Sequence, residues 1–246
     1  MKIVVIGGTG LIGSKLVARL SEHGHQAVAA APNTGVNTLT GEGVKEVLQD
    51  ANVVVDVSNS PSFADNDVME FFRTSTTNLL EAAGTADVGH YVALSVVGSE
   101  RLPESGYLRA KVAQEELIKG SALPYSIVRA TQFFEFAGGI ADSSTVDGEV
   151  RLSGASMQPL AADDVAAAVG RMAAGAPMNG TIEVAGPEVF GLDQWIGTVL
   201  TVRSDPRTVV TDPQARYFGA LPKLELLPGR DAQLAQTRLS EWLASN

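Results

Sequence analysis

"VIGGTGLIGSKL", residues 5–16, is the stretch that decides the fold. Gly7, Gly10 and Gly13 recur at every third position in it. Ahead of them the β-branched run "KIVVIG" (2–7) reads as a buried strand. Behind them Leu11, Ile12, Leu16, Val17 and Leu20 share one face of a helix expected over about 11–23. A glycine turn between a strand and a helix lets backbone N–H groups approach a pyrophosphate, and the helix N-terminus adds partial positive charge there. A tight turn needing glycine only for its backbone angles is the plainer alternative. The place of the motif, opening a βαβ unit, favours a dinucleotide site built from Gly7, Thr9, Gly10, Leu11, Ile12 and Gly13.

Outward from that turn, strand and helix patterns alternate. "QAVAAA" (26–31) is a second strand, and a ribose-reading carboxylate is expected at its end, about 20 residues past the glycines. The chain has Ala30, Ala31 and Pro32 there, then Asn33 and Thr34. Without a carboxylate nothing repels a 2′-phosphate, so NADP(H) is favoured over NAD(H), although no arginine stands ready to grip that phosphate. Asn33, Thr34, Asn37 and Thr38 suit either form.

A turn-rich stretch (32–43), a short helix "VKEVLQ", a strand "NVVVDVSNS" (52–60) and a helix near 65–84 follow. Ser58, Asn59 and Ser60 line the adenosine side of the cofactor or form a polar turn. Then come "HYVALSVVG" (90–98), a helix near 106–120 and "YSIVRAT" (125–131). This alternation predicts a Rossmann-like, doubly wound parallel α/β sheet. Residues 1–136 make a cofactor-binding core, and 137–246 a mixed substrate-side portion packed on it as a small C-terminal α/β cap, one domain in all. In that portion "AADDVAAAVGRMAAG" (161–175), "LDQWIGTVL" and "LAQTRLSEWL" read as helices, "GTIEVAG" and "RTVVTD" as strands.

The second telling stretch is "SGYLRAKVAQEEL", residues 105–117. Tyr107 and Lys111 lie one helical turn apart and share a face. Ser95 falls near the end of the preceding strand, and in a doubly wound sheet ligands bind at the strands' carboxyl ends. Carbonyl reduction needs a proton for the developing alkoxide. A phenol of pKa about 10, eased toward phenolate by an adjacent ammonium, supplies one. Ser95 is placed to donate a hydrogen bond to the same oxygen. The competing reading has Tyr107 packing at a helix start and Lys111 solvated. Phe133 and Phe134, after the "SIVRAT" strand, are candidate walls of an apolar substrate pocket, with Met157, Tyr217 and Phe218 as weaker ones.

"GGTGLIG", "LSVVG" and "GYLRAKVAQEELI", in this order and at these separations, resemble the short-chain dehydrogenase/reductase superfamily. The glycine spacing and "LPYSIVRATQFFEF" resemble its atypical, NmrA-like branch. The resemblance implies a Rossmann core, NAD(P) binding, and a catalytic set of Ser95, Tyr107 and Lys111, with Lys111 also holding the nicotinamide ribose. Many relatives carry an Asn that completes a proton relay from the helix before "LSVVG". Asn78 is the residue on offer in that helix, away from the relay position. The branch also holds proteins that bind the cofactor without turning it over.

Composition narrows the rest. The chain carries 18 Lys and Arg against 28 Asp and Glu, a formal charge of −10, which repels nucleic acid and anionic lipid surfaces. It has no cysteine, which excludes disulfides, thiolate nucleophiles and Cys-ligated metal. His23, His25 and His90 lack ligand spacing, so no metal site is expected. The N-terminal apolar run is too short for a signal peptide and no run approaches a membrane span, so a cytoplasmic protein is expected. Together these predict an NAD(P)H-dependent oxidoreductase acting on a small apolar carbonyl or quinone, with a homodimer possible. The rival is a non-catalytic NAD(P) sensor acting through a protein partner. A nucleotide-sugar epimerase is disfavoured by the short chain beyond the core.

Overall fold

A computed structural model describes residues 1–221 and 226–245. The first half runs β1 (Lys2–Ile6), α1 (Leu11–Glu22), β2 (Gln26–Ala30), α2 (Val44–Leu48), β3 (Val53–Asp56), α3 (Asp65–Thr85), β4 (His90–Val96), α4 (Gly106–Lys119) and β5 (Tyr125–Ala130). The second half runs α5 (Ala137–Ser143), β6 (Thr145–Val146), β7 (Glu149–Leu152), β8 (Ser156–Met157), α6 (Ala162–Ala174), β9 (Gly180–Ala185), β10 (Phe190–Gly191), α7 (Leu192–Val202), β11 (Thr208–Thr211), β12 (Gln233–Leu234) and α8 (Leu239–Ser245). Seven strands pair in parallel in the order β12-β9-β5-β4-β3-β1-β2. This is a Rossmann-like α/β sheet, and its order reverses at β1 and β3, where such sheets bind ligands.

Alternation along each strand feeds two separate cores. Ile3, Val5, Val55, Val92 and Val128 pack under α1 and α6, against Leu16, Val165 and Val169. Val4, Ile6, Val54, Tyr91 and Ile127 face the other way, against Leu48, Leu79 and Ile118 of α2, α3 and α4. Because both faces are covered, the central strands read as unbroken apolar runs. The carboxyl ends of β1, β3, β4 and β5 open on one edge, where the glycine turn, Ser58, Asn59, Ser60 and the end of β4 with Ser95 lie.

The second half builds a further core together with Leu102 and Leu108, in which Trp195, Phe134, Leu152 and Met157 are all fully buried. Two small sheets serve it, β11-β7-β6 and β10-β8. Its details depart from expectation. The closing helix begins at Leu239 rather than near Leu234. The Ala235 amide donates to Ala185 O at 2.8 Å, which holds 233–235 along the sheet edge as β12. Glu188 then accepts from the Leu239 amide at 3.0 Å and starts α8. Helix α5 was not expected, since Gly138 and Gly139 are poor helix formers. Packing overrides that preference, because Ala137 and Ala141 are fully buried in the same core as α7. The β6–β7 hairpin carries its own turn signal, Asp147-Gly148, with φ of 51° and 82°.

Candidate active site

The glycine turn is built to admit a ligand backbone to backbone. Gly7 takes φ 77°, and its amide donates to Ala30 O at 2.9 Å, closing the turn against β2. A Cβ there would lie 2.8 Å from Ser58 Cα, and one on Gly13 would lie 2.1 Å from Gly7 O. Those two glycines are demanded by the protein's own packing. Gly10 differs: only Gly7 O, at 3.3 Å, borders its missing side chain, and it is exposed. No side chain caps α1 at Gly10, so the amides of its first turn remain available to an anion. A bare, glycine-lined helix start at the switch point fits the pyrophosphate of a dinucleotide.

Around it, the expected contacts divide. Thr9 and Leu11 are exposed beside Gly10, whereas Ile12 is buried in the core under α1. Asn33 is exposed, and its Oδ1 accepts from Thr9 Oγ1 at 3.2 Å, so the two sit together at the mouth. Thr34 is used locally: its Oγ1 accepts from the Ala31 amide at 2.9 Å. Ser58 fronts Gly7 and gives its hydroxyl proton to Asp56 Oδ1 at 2.6 Å. Asn59 Oδ1 accepts from the Ser60 amide at 3.0 Å, and Ser60 Oγ accepts from the Ser62 amide at 3.3 Å, which makes the 58–62 segment a self-braced turn.

Beneath this turn runs a buried polar row. Asp56, 1% exposed, accepts from Gln114 Nε2 at 2.9 Å and from the Tyr91 hydroxyl at 3.3 Å. Gln114 Oε1 in turn accepts from Lys111 Nζ, which also donates to Leu94 O at 2.9 Å and lies 4.3 Å from the Phe72 ring centroid. Lys111 is 3% exposed. Burial pulls its ammonium down to about 8, with the charges of Asp56 and Glu115 resisting.

Tyr107 occupies an aromatic environment one helical turn away and shares the Phe72 ring with Lys111. Its ring lies 5.2 Å from Phe218 with planes 19° apart, 5.5 Å from Phe63 and 6.1 Å from Phe72. Burial pushes its phenol up to about 12. Tyr217 stands edge-on to Phe218 at 4.6 Å. Its pKa is also raised, by burial first and by nearby Tyr107 second, while the Gln132 side chain acts the other way. Phe63 and Gln132 are absent from the expected catalytic and substrate sets, in which Tyr217 and Phe218 figure only as weaker wall candidates. They come from three distant loops, and Tyr217 and Gln132 are nearly buried, which gives no sequence signal of a site.

The expected catalytic set is not gathered at one point. Ser95 is 3% exposed and gives its proton to Glu115 Oε1 at 2.7 Å, rather than facing the cleft beside Tyr107. Glu115 is clamped by Arg129 through two bonds of 2.8 Å and by Lys119 at 2.9 Å. Burial alone would raise Glu115, but the bonds from Arg129, Lys119 and Ser95 outweigh it and its pKa falls. Ser95 therefore belongs to a structural ion network joining α4 to β4 and β5. The expected wall residues also change role. Phe134 is fully buried, 5.5 Å from Trp242, with no surface left for a substrate. Phe133 is half-buried and stacks on Phe136 at 5.1 Å. Asn78 donates to Thr38 O at 2.8 Å and pins the loop after β2.

Comparison with known proteins agrees with this geometry. Residues 7–174 match the model of a family described as NAD(P)H-binding. The chain belongs to that NAD(P)H-binding family. Its fold is shared by WbmH of Bordetella bronchiseptica, solved with NAD+, at TM-score 0.77 and 16% identity, covering 99% of this chain and 96% of that one. The dTDP-glucose 4,6-dehydratase DesIV of Streptomyces venezuelae, solved with NAD, aligns at TM-score 0.79 and 16% identity, covering 99% and 95%. In sequence the chain is 27% identical to the photosystem II assembly factor Ycf39 of Cyanophora paradoxa over 59% of its length and 51% of the relative's. It is 22% identical to Ycf39 of Synechocystis over 55% and 46%. The chain thus spans about half the length of the curated relatives it matches. Among the described residues no helix is long and apolar enough to cross a membrane.

Proposed function

We propose that this protein is an NAD(P)H-dependent reductase of a small, flat, apolar carbonyl or quinone, with Tyr107 as the proton donor. The observation that carries the reading is the placement of that phenol: Tyr107 stands among Phe63, Phe72 and Phe218, one helical turn from Lys111, and burial raises its pKa, so it is protonated at neutral pH. An acid in an apolar, aromatic box suits protonation of a developing alkoxide, the reducing direction. The reverse direction needs phenolate, which the same burial opposes.

NAD(P)H held on the glycine turn supplies the hydride. Gly10, the first-turn amides of α1 and Asn33 hold the nucleotide, and Ser58 borders it. Tyr107 passes its hydroxyl proton to the substrate oxygen as the carbonyl carbon becomes a hydride acceptor. Lys111, on the next turn of α4, is the cation that offsets the phenolate left behind and reaches the ribose side. Lys111 Nζ is turned to Gln114 and Leu94 O, so engagement requires its release from Gln114. Ser95 has no part in this reading. Either nicotinamide form fits, since no charged group reads the 2′-position, and NADP(H) is the preferred proposal for want of a repelling carboxylate.

The test is oxidation of NADPH and NADH at 340 nm against aromatic aldehydes, ketones and quinones, beside Tyr107→Phe. Turnover that collapses in the variant, with nucleotide affinity kept, supports the reading. Tight nucleotide binding with no turnover on any compound overturns it.

A second reading has an observation of its own. Ser95 and Lys111 are committed to buried structural networks, and the sequence relatives are named as assembly factors. A nucleotide-binding protein that acts through a protein partner needs the glycine turn and the fold, and not the phenol.

A further inference from the structure

With Tyr107 as the proposed acid at one end of a substrate, a polar group at the other end would orient it. One polar atom at the same edge has no partner. Gln132 follows β5 directly and is 8% exposed, yet its Oε1 accepts no hydrogen bond. Its backbone carbonyl accepts from the Leu160 amide at 2.9 Å, which ties the residue to the segment before α6. Its side chain reaches Tyr217, which itself interacts with Tyr107. A buried carbonyl oxygen left without a donor is costly, and an unpaired one calls for a ligand, an ion or water to complete it.

Three other features of the molecule are complete or lack an identifiable occupant. Arg19, Arg171, His23 and His25 border a groove of about 320 Å³ between α1 and α6, but they complement two helix C-termini, which disfavours an anion there. An apolar groove of about 440 Å³ between α7 and α8 has nothing to indicate its occupant. The Glu115–Arg129 network is saturated by its own members. Gln132 differs from all of these in being incomplete.

We propose that Gln132 Oε1 is a specificity-determining acceptor that reads a hydroxyl donor on a flat aromatic substrate lying against Phe63 and Phe218. The inference rests on the reading of Tyr107 as the acid, and it adds the substrate class. Tyr107 donates to the reacting carbonyl oxygen, and Gln132 accepts from a hydroxyl elsewhere on the ring. A site built to bond a hydroxyl rejects the analogue that lacks it, because the acceptor is then left buried and unpaired. Methylation of the hydroxyl removes the donor and adds bulk at the same point.

The experiment uses the full chain and 6-hydroxy-2-naphthaldehyde, its 6-methoxy ether and unsubstituted 2-naphthaldehyde. Equilibrium binding is measured at neutral pH with saturating NADP+ or NAD+, where no turnover occurs. The hydroxy compound is expected to bind about tenfold tighter than either analogue. In Gln132→Met, of similar shape and without the acceptor, all three bind within about threefold of one another. Gln132→Glu, which keeps an acceptor oxygen, retains the preference. Equal binding of the three compounds to the parent protein overturns the proposal, as does a preference that survives in Gln132→Met. Loss of nucleotide affinity in Gln132→Met assigns the oxygen to the cofactor and overturns it as well. Since binding is read without turnover, a preference that appears in a protein inactive on the carbonyl panel separates failure of the reductase reading from failure of this one.

Discussion

Tyr107 and Phe218 lie ring against ring, centroids 5.2 Å apart and planes 19° apart, although they come from opposite halves of the chain. Phe218 holds this position at φ 47°, a region that costs a bulky residue energy, and it remains 38% exposed. A strained, partly exposed aromatic stacked on Tyr107 contributes little to the core.

That arrangement predicts the behaviour of Phe218→Ala. Removing the ring admits water to Tyr107, so its phenol falls from about 12 toward its ordinary range. Ultraviolet titration of tyrosinate, with Tyr107→Phe as the subtraction control, reads the change. Unfolding free energy drops by no more than about 1–2 kcal/mol, because the lost surface was already partly wet. An unmoved phenol titration contradicts the assignment of its shift to this enclosure.

The glycine turn separates a packing requirement from a binding one. Gly13→Ala places a Cβ 2.1 Å from Gly7 O, so the turn must open and nucleotide affinity falls by orders of magnitude along with stability. Gly10→Ala meets only Gly7 O at 3.3 Å. It is expected to fold with nearly parental thermal stability and to lose about tenfold or more in nucleotide affinity, by crowding the ligand. Thermal melts paired with nucleotide fluorescence titrations distinguish the two.

The Glu115 network is expected to be costly to break. Glu115 is 2% exposed and holds Arg129, Lys119 and the Ser95 hydroxyl. Glu115→Leu leaves the largely buried Arg129 without its main partner and should cost about 3–5 kcal/mol in urea unfolding. Ser95→Ala loses one hydrogen bond to a charged group, about 1.5–3 kcal/mol, and leaves turnover within a few-fold. A collapse of turnover in a Ser95→Ala protein that stays folded would return Ser95 to the catalytic set.

Lys111 gives stability a pH dependence of definite sign. Its folded pKa, about 8, lies below the ordinary 10.5, so between those values the unfolded chain binds more protons. Stability therefore rises with pH from about 8. Above about 10 the trend reverses, since Tyr107, Tyr217 and Tyr91 resist ionisation when folded but release protons when unfolded. Urea midpoints across pH 7–10 record the rise, and Lys111→Met should flatten it.

Much of the architecture was legible locally. Strand and helix spans of the first half, Val53–Asp56 or Gly106–Lys119 for instance, follow from periodicity, because both sheet faces are covered and each helix has one apolar side. The second half was harder to read. Its strands are two to four residues long except β9, too short for a period to register, and α5 forms through packing against its own propensity.

The site divides in the same way. The glycine turn was readable because a phosphate cradle is made of backbone, and backbone demands appear in sequence as glycine at fixed spacing beside a helix start. The catalytic set was not readable, because the use of a side chain depends on what lies within hydrogen-bonding reach. Ser95 sits at the expected strand end, yet Glu115, two turns along α4 from Tyr107, takes its proton. Phe134 and Phe218 have the same side chain: one is sealed in the core and the other covers the acid. Hydrophobicity alone cannot separate those fates. By itself the sequence determined the strand–turn–helix frame and the nucleotide cradle, which are short-range and set by backbone geometry. Only the tertiary structure decided which polar atoms are already paired and which, like Gln132 Oε1, are left open, since that depends on neighbours brought together from distant parts of the chain.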